Sequence, residues 1–195
     1  MSLLRPFSAS DLFDFNAINL DVWTETYGVS YYLTYLSNWP DLFSVVESAG
    51  GEGRITGGGE GGGLMGYVMG KTEGQGQEWH AHVSAITVSP GHRRLGLASL
   101  MMDLLEKVGE GVHSWFVDLF VRESNDLAIG LYESLGYIIY RRVKDYYGGG
   151  PKGKDEDGFD MRKPLSRDRH QTSIRLPGGA TDGRKVVVRP EDVYF

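Results

Sequence analysis

The residues best suited to chemistry gather at HRRLGLA, residues 92–98. Arg93 and Arg94 stand directly before a strongly amphipathic run, in company with Gly96 and Ala98. Acidic residues usually open a helix, because they complement its positive end. Here the first turn adds positive charge, which costs stability unless an anion sits there. The free amides of a helix N-terminus bind phosphate well. Gly96 and Ala98 would let a pyrophosphate approach the main chain, and the two guanidinium groups would add charge-assisted contacts. Taken alone, the stretch reads equally as a basic surface turn.

Three further groups stand out. His80 and His82, in HAH, lie two apart on a strand and share a face. A histidine pair raises the question of a metal, but no third ligand stands at a convincing spacing, so no metal is expected. Asn125, Ala128 and Tyr132 follow one another at intervals of three and four, which aligns them on one helix face. A tyrosine there can act as a general acid or simply pack in a core. Glu25, in TETYG, is a loop carboxylate that by itself reads as solvated.

These residues need a scaffold. LLRPF reads as a short strand, and SASDLFDFNAINL as a helix with Ser8 and Asp11 at capping-box spacing and Leu12, Phe13, Phe15 and Ile18 as its apolar positions. YYLTYLSNWP reads as a second helix, stopped at Pro40. LFSVVES, LMGYVMGKTE and the β-branched HAHVSAITVSP read as strands. Leu97, Leu100, Met101, Leu104, Leu105 and Val108 then mark a clean helix face. WFVDLFVRE is a strand, NDLAIGLYESLG a short helix closed by Gly136, YIIYRRVKDYY a strand, and FDMRKPL a final short strand. The order is β-α-α-β-β-β-α-β-α-β-β, a mixed α/β arrangement with the strand, basic turn and helix at its centre. The glycine-rich segment 49–63 lacks the Gly-Lys-Ser/Thr ending of a phosphate loop and reads as a flexible hairpin insertion. Residues 165–195 show no period beyond KVVVR and read as an extended tail that needs a surface to order it.

Composition narrows the field. The 195 residues suit one domain, here 1–164, with an appended tail, 165–195. Cysteine is absent, which removes disulfides, thiolate metal sites and any thioester on the chain itself. Residues 1–149 set 10 Lys and Arg against 18 Asp and Glu, a net of −8, whereas residues 150–195 set 10 against 8, a net of +2. Such a body is no general nucleic-acid binder. No apolar run is long enough to span a membrane, no secretory signal is evident, and a cytoplasmic protein is expected.

Arg-x-x-Gly-x-Ala between a β-branched strand and a long helix, followed by Asn125, Ala128, LYE at 131–133 and GY at 136–137, resembles the two conserved blocks of the GCN5-related N-acetyltransferase (GNAT) superfamily. The resemblance implies a mixed sheet of about seven strands with a V-shaped gap between HVSAITV and WFVDLF, flanked by about four helices. It implies acetyl-CoA as cosubstrate. Its pantetheine arm would bond the main chain around Ile86, Thr87 and Val88, and its pyrophosphate would sit over Arg93, Arg94, Leu95, Gly96, Leu97, Ala98 and Ser99. Asn125 and Tyr132 would reach the thioester, with Tyr132 as the acid.

NLDVWTETYG, SYYLTYLSNWP, MGYVMGK, WHAHVSAITV, DYYGGG, DMRKPLSRD and VRPED together resemble, nearly end to end, the catalytic subunits of N-terminal acetyltransferase B (NatB) complexes. That resemblance implies acetylation of the initiator Met of nascent chains beginning Met-Asp, Met-Glu, Met-Asn or Met-Gln. It also implies a helical-repeat auxiliary subunit that reaches the ribosome. Glu25 and Tyr27 would then lie at the peptide mouth, with Glu25 orienting or deprotonating the amine. His82, helped by Ser84, would hydrogen-bond the side chain at position two. Tyr146 and Tyr147 would wall the peptide N-terminus. Phe13, Phe15, Tyr32, Leu36 and Trp39 are either the auxiliary-subunit interface or core. A GNAT-fold lysine or small-amine acetyltransferase, and a non-catalytic acyl-CoA-binding subunit, remain as alternatives.

Overall fold

Burial along the first helical segment repeats every three residues: Leu12 is partly covered, Phe15 and Ile18 are buried, and Phe13 points to solvent. Three residues per turn is the 3₁₀ period. In this computed structural model, which describes residues 2–19, 24–48, 63–148 and 155–193, the segment Ala9–Ala17 is a 3₁₀-helix and not the α-helix its composition suggests. Its start is held as the Ser8/Asp11 spacing predicts, since the Ser8 amide donates to Asp11 Oδ2 at 2.7 Å. Three α-helices follow: α1 (Val29–Asn38), α2 (Leu97–Gly111) and α3 (Asp126–Ser134). Pro40 lies directly after the C-cap of α1.

Eight strands are present among the described residues, one more than expected: β1 (Ser2–Pro6), β2 (Phe43–Ser48), β3 (Leu64–Glu73), β4 (His80–Val88), β5 (Phe116–Arg122), β6 (Ile138–Tyr147), β7 (Glu156–Pro164) and β8 (Val187–Val188). The chain folds as two compact units, Met1–Lys71 with Val83–Val108, and Thr72–His82 with Gly109–Phe195.

In the first unit β2 lies antiparallel between β1 and β3. Its core is aromatic. Phe7 stacks on Phe43 at 3.8 Å and Phe15 on Tyr67 at 4.6 Å, while Tyr32 meets Phe15 edge-on. Aromatic pairs of this kind add about 0.5–1.5 kcal/mol each beyond their buried area. Phe15 and Tyr32 are therefore core residues, Leu36 and Trp39 pack against that core half-buried, and of the five only Phe13 stands fully exposed. Helix α2 buries Leu97, Met101, Met102 and Leu105, but leaves Leu100 exposed. The buried stripe is thus rotated from the expected one, with Met102 taking the place of Leu100.

In the second unit the strand order is β5-β7-β6-β8, antiparallel except for β6 and β8. The eighth strand comes from the tail: Val187 and Val188 pair in parallel with Arg142 and Val143, and the Arg142 amide donates to Val186 O at 2.8 Å. Upstream, Asp168 accepts from the Thr172 and Ser173 amides and the Thr172 hydroxyl, each at 2.8 Å. Burial opposes the charge of Asp168, but these bonds outweigh it and hold its carboxyl below the ordinary range. Gly183 is buried so tightly on β6 that a Cβ there would overlap the Ile139 carbonyl.

Gly183→Ala should therefore lift the tail from β6 and cost about 1–3 kcal/mol, while Gly130→Ala, where an added Cβ on α3 meets nothing within 4 Å, should gain about 0.5–1 kcal/mol. At roughly 2–4 °C per kcal/mol, circular-dichroism melting should show a fall for the first and a rise for the second. Equal melting temperatures for the Gly183 variant and the parent would refute the tight seat.

Candidate active site

The turn between β4 and α2 is built around two left-handed residues, Arg94 (φ 64°) and Gly96 (φ 75°). A Cβ at Gly96 would meet nothing within 4 Å. Glycine is favoured there by its backbone angle, and the space above it is open to a ligand. The Leu100 amide donates to Gly96 O at 3.0 Å, so the amides of Leu97, Ala98 and Ser99 precede the helical ladder. Arg93, Arg94 and Leu95 are exposed, and Arg93 Nε donates to Val88 O at 3.4 Å. Thr87 is buried and its Oγ1 lies 3.4 Å from Thr24 Oγ1, while Ile86 and Val88 are half-buried. These features fit an anion at the turn and an extended ligand arm beside the end of β4.

The same unit carries a tyrosine array. Tyr27 stacks on Tyr31 at 4.4 Å, and its amide donates to Tyr32 Oη at 3.3 Å. Burial first, then the Glu25 charge, push the Tyr27 phenol up to about 12. Tyr31 and Ser84 both donate to Tyr35 Oη, at 3.2 and 2.8 Å. Glu25 is exposed. Thus Glu25 with Tyr27, and Ser84 with Tyr35, fall into the first unit. Tyr31 and Tyr35 were not anticipated from the sequence, although their i, i+4 spacing on a helix was a usable signal.

The second unit holds His82. Its Nδ1 lies 2.8 Å from Asp118 Oδ1, and its ring is 5.8 Å from Phe120. Phe120 in turn stacks on Tyr146 at 4.5 Å, which meets Tyr147 edge-on at 4.9 Å. Tyr147 is capped by the Arg122 guanidinium at 4.4 Å, itself held by Glu156 at 3.1 Å. His82, Tyr146 and Tyr147 are therefore brought together around Phe120.

Behind His82 lies a group that the spacing did not reveal. His80 is fully buried. Its Nδ1 lies 2.6 Å from Glu78 O, and its Nε2 is 3.4 Å from Asp118 Oδ1 and 3.7 Å from Glu73 Oε1. Ligand atoms of Glu73, His80 and His82 all lie within 4.8 Å of one another. The premise that the histidine pair has no third candidate ligand is thus corrected: β3 brings Glu73 to it from seven residues upstream. Asp118 was also missed. A carboxylate within the apolar run WFVDLFV was the available signal, because buried charges need partners. Burial opposes charge at Asp118, but His82 and His80 outweigh it and hold the carboxyl below its ordinary range. Burial likewise works against a charged His80, but Asp118, Glu73 and the Glu78 carbonyl raise its pKa above the usual value.

Asn125 is the N-cap of α3, its Oδ1 accepting from the Ala128 amide at 3.2 Å. Tyr132 is buried on α3, and burial pushes its phenol up to about 12.

Comparison with known proteins identifies the family. Residues 14–137 match the acetyltransferase (GNAT) family. The chain is similar, with 54% identity over all of both chains, to the N-terminal acetyltransferase B complex catalytic subunit naa20 of Schizosaccharomyces pombe. Its structure is similar to that of Chaetomium thermophilum Naa20 in complex with a bisubstrate analogue, with a TM-score of 0.86, 40% identity and coverage of 99% and 100% of the two chains. It is also similar to a chain of the NatB acetyltransferase complex bound to a bisubstrate inhibitor, with a TM-score of 0.78, 39% identity and 99% of each chain covered.

The raised pKa of His80 gives a signed prediction. A group with a raised folded pKa adds stability that is complete below its unfolded value, about 6.5, and is lost as pH rises through the folded value. The melting-temperature difference between the parent and His80→Asn should be largest near pH 6 and shrink steadily toward pH 10. A difference that grows with pH would show that His80 is neutral in the fold.

Proposed function

The chain belongs to the acetyltransferase (GNAT) family, and from that membership we propose its reaction: direct transfer of acetyl from acetyl-CoA to the α-amine of an initiator Met, in chains beginning Met-Asp, Met-Glu, Met-Asn or Met-Gln. The amine nitrogen attacks the thioester carbonyl, the C–N bond forms, the C–S bond breaks and the amine loses a proton. An α-amine ordinarily titrates near 7.7–8.0, against about 10.4 for a lysine side chain, so a useful fraction is already nucleophilic at neutral pH.

Several residues take roles in this reading. The main chain around Ile86, Thr87 and Val88 holds the pantetheine arm, and Arg93 to Ser99 hold the pyrophosphate. The observation that carries this part is the open left-handed turn with its unladdered amides ahead of α2. Tyr132 keeps its proton to about pH 12 and donates to the leaving sulfur, with Asn125 at the same end. Glu25 and Tyr27 receive the amine, His82 and Ser84 read position two, and Tyr146 and Tyr147 close over the N-terminus. We assign residues 1–164 to the transferase domain and 165–195 to the tail. The NatB complex among its structural relatives supports an auxiliary subunit as partner; ribosome association through it and a cytoplasmic location are proposed from the sequence resemblance alone. No helix among the described residues is long and apolar enough to cross a membrane.

With its auxiliary subunit, the chain should release CoA at least tenfold faster with a Met-Asp peptide than with Met-Ala, Ser- or N-blocked lysine peptides. Preference for lysine would leave the fold and remove this acceptor, and CoA binding without turnover would mark a non-catalytic subunit. Tyr132→Phe should lower kcat by about 100-fold, within the usual range for a lost acid, with the KM for acetyl-CoA within threefold of the parent. Glu25→Gln should lower kcat/KM for Met-Asp about tenfold; unchanged values in either variant would dismiss that role.

A further inference from the structure

The hydroxyl of Tyr35 is held in place by packing. Its ring is buried on α1, 4.9 Å from the Tyr31 ring and 5.3 Å from the Trp39 ring. Close-packed rings fix where the phenol oxygen sits. Two hydroxyls converge on that oxygen: Tyr31 donates to it at 3.2 Å, and Ser84, on β4, donates to it at 2.8 Å. Tyr31 lies one helical turn away, but Ser84 is 49 residues distant in the chain. The bond to Ser84 is therefore made by the fold and not by local sequence.

A serine hydroxyl has one hydrogen to give and two lone pairs to receive with. The bond to Tyr35 takes the hydrogen. Ser84 is only half-buried, and toward a ligand its oxygen is then an acceptor. That choice separates two kinds of side chain. A carboxamide N–H can donate to this oxygen. An ionised carboxylate has lone pairs alone, and against the Ser84 oxygen it meets lone pairs. A serine without the Tyr35 contact could turn its hydroxyl and serve either.

We infer that Tyr35 is a positioning residue which, by taking the Ser84 hydrogen, makes Ser84 the amide-reading group for position two. The inference rests on the reading of Ser84 as a position-two residue. Met-Asn and Met-Gln chains gain a hydrogen bond at Ser84 that Met-Asp and Met-Glu chains do not. Tyr35→Phe keeps the ring and its packing but removes the fixed acceptor. The Ser84 hydrogen is then released and can be donated to a carboxylate, so the variant moves the preference from amides toward acids.

The test uses the chain with its auxiliary subunit and Met-Asp, Met-Glu, Met-Asn and Met-Gln peptides at one fixed pH. Tyr35→Phe should raise the Met-Asp to Met-Asn ratio of kcat/KM about fivefold, the scale of one hydrogen bond, and the Met-Glu to Met-Gln ratio with it. A uniform loss over all four peptides, or unchanged ratios, would mark Tyr35 as a packing residue and overturn the inference. Ser84→Ala should raise the same ratios by slowing the amide peptides. Adding Tyr35→Phe to Ser84→Ala should then leave the ratios within about twofold, because the tyrosine acts through the serine; a full further shift overturns the inference. Should Tyr35→Phe fold poorly, Ser84→Ala decides alone: a fall in the acid-to-amide ratio would mean that Ser84 donates to carboxylates in the parent, contrary to the inference. Failure of the underlying reading looks different. Ser84→Ala would then leave kcat/KM unchanged for all four peptides, and the position-two role of Ser84 would fall together with the inference built on it.

Discussion

A carboxylate fully buried in a strand of apolar residues constrains the second unit more than any other group. Left alone, the Asp118 charge would cost several kcal/mol even after relaxation. The fold answers with register. Across the β5–β7 ladder Asp118 stands opposite Arg162, and across β6–β7 Arg141 stands opposite Asp160. Slipping either ladder by one residue would turn these side chains to the other face and strand unpaired charges in the core. The ionic pairs therefore specify the alignment of three strands, whatever they add to net stability. Phe120 sits two residues beyond Asp118, on the same side of β5, so the register that places the carboxylate also places the ring between His82 and Tyr146.

The first unit solves its positioning problem with rings. Tyr32 packs into the core against Phe15 and Tyr67, while Tyr31 and Tyr35 on the same helix join hydroxyls at 3.2 Å. One ten-residue helix thus anchors itself with two buried tyrosines, Tyr32 and Tyr35, and presents a third, Tyr31. The turn ahead of α2 depends on backbone angles more than on packing. Arg94 adopts φ 64°, a conformation that costs a non-glycine residue of order 1–3 kcal/mol and persists at ligand-binding turns. An anion bound at that helix start would offset its concentrated positive charge, and the family context, more than the turn alone, favours that reading.

Much of this was legible in the chain. Strand positions followed from β-branched alternation, and α2 from its strict apolar spacing. The failures have physical causes. Leu12, Phe15 and Ile18 fit a three-residue period as well as a 3.6-residue one, and a short segment cannot decide between them. Leu100 and Met102 exchange roles because α2 meets its surroundings along a stripe slightly rotated from the one its leucines suggest. The strand β8 was invisible as such, because two valines make no pattern until β6 supplies a partner. His82 and Tyr132 were visible by residue type and spacing. Asp118 and Glu73 were not, because their partnership with the histidines spans separations of 36 and 7 residues and depends on sheet pairing.

Burial also divides the chemical labour. It raises phenols and so keeps Tyr132 and Tyr27 protonated until about pH 12. At neutral pH they donate hydrogen bonds and accept no proton from an amine. That suits the end of a transfer reaction where a thiolate, with an ordinary pKa near 8.5, acquires charge. Complete proton transfer from a phenol near 12 to such a thiolate is uphill by about 3.5 pKa units, so the role proposed for Tyr132 is that of a donor stabilising the developing anion. In the proposed reaction, proton acceptance is left to groups in contact with solvent, such as the exposed carboxylate of Glu25 and bulk water. In the same reading His82, with Nδ1 committed to Asp118, recognises a side chain and does not remove a proton.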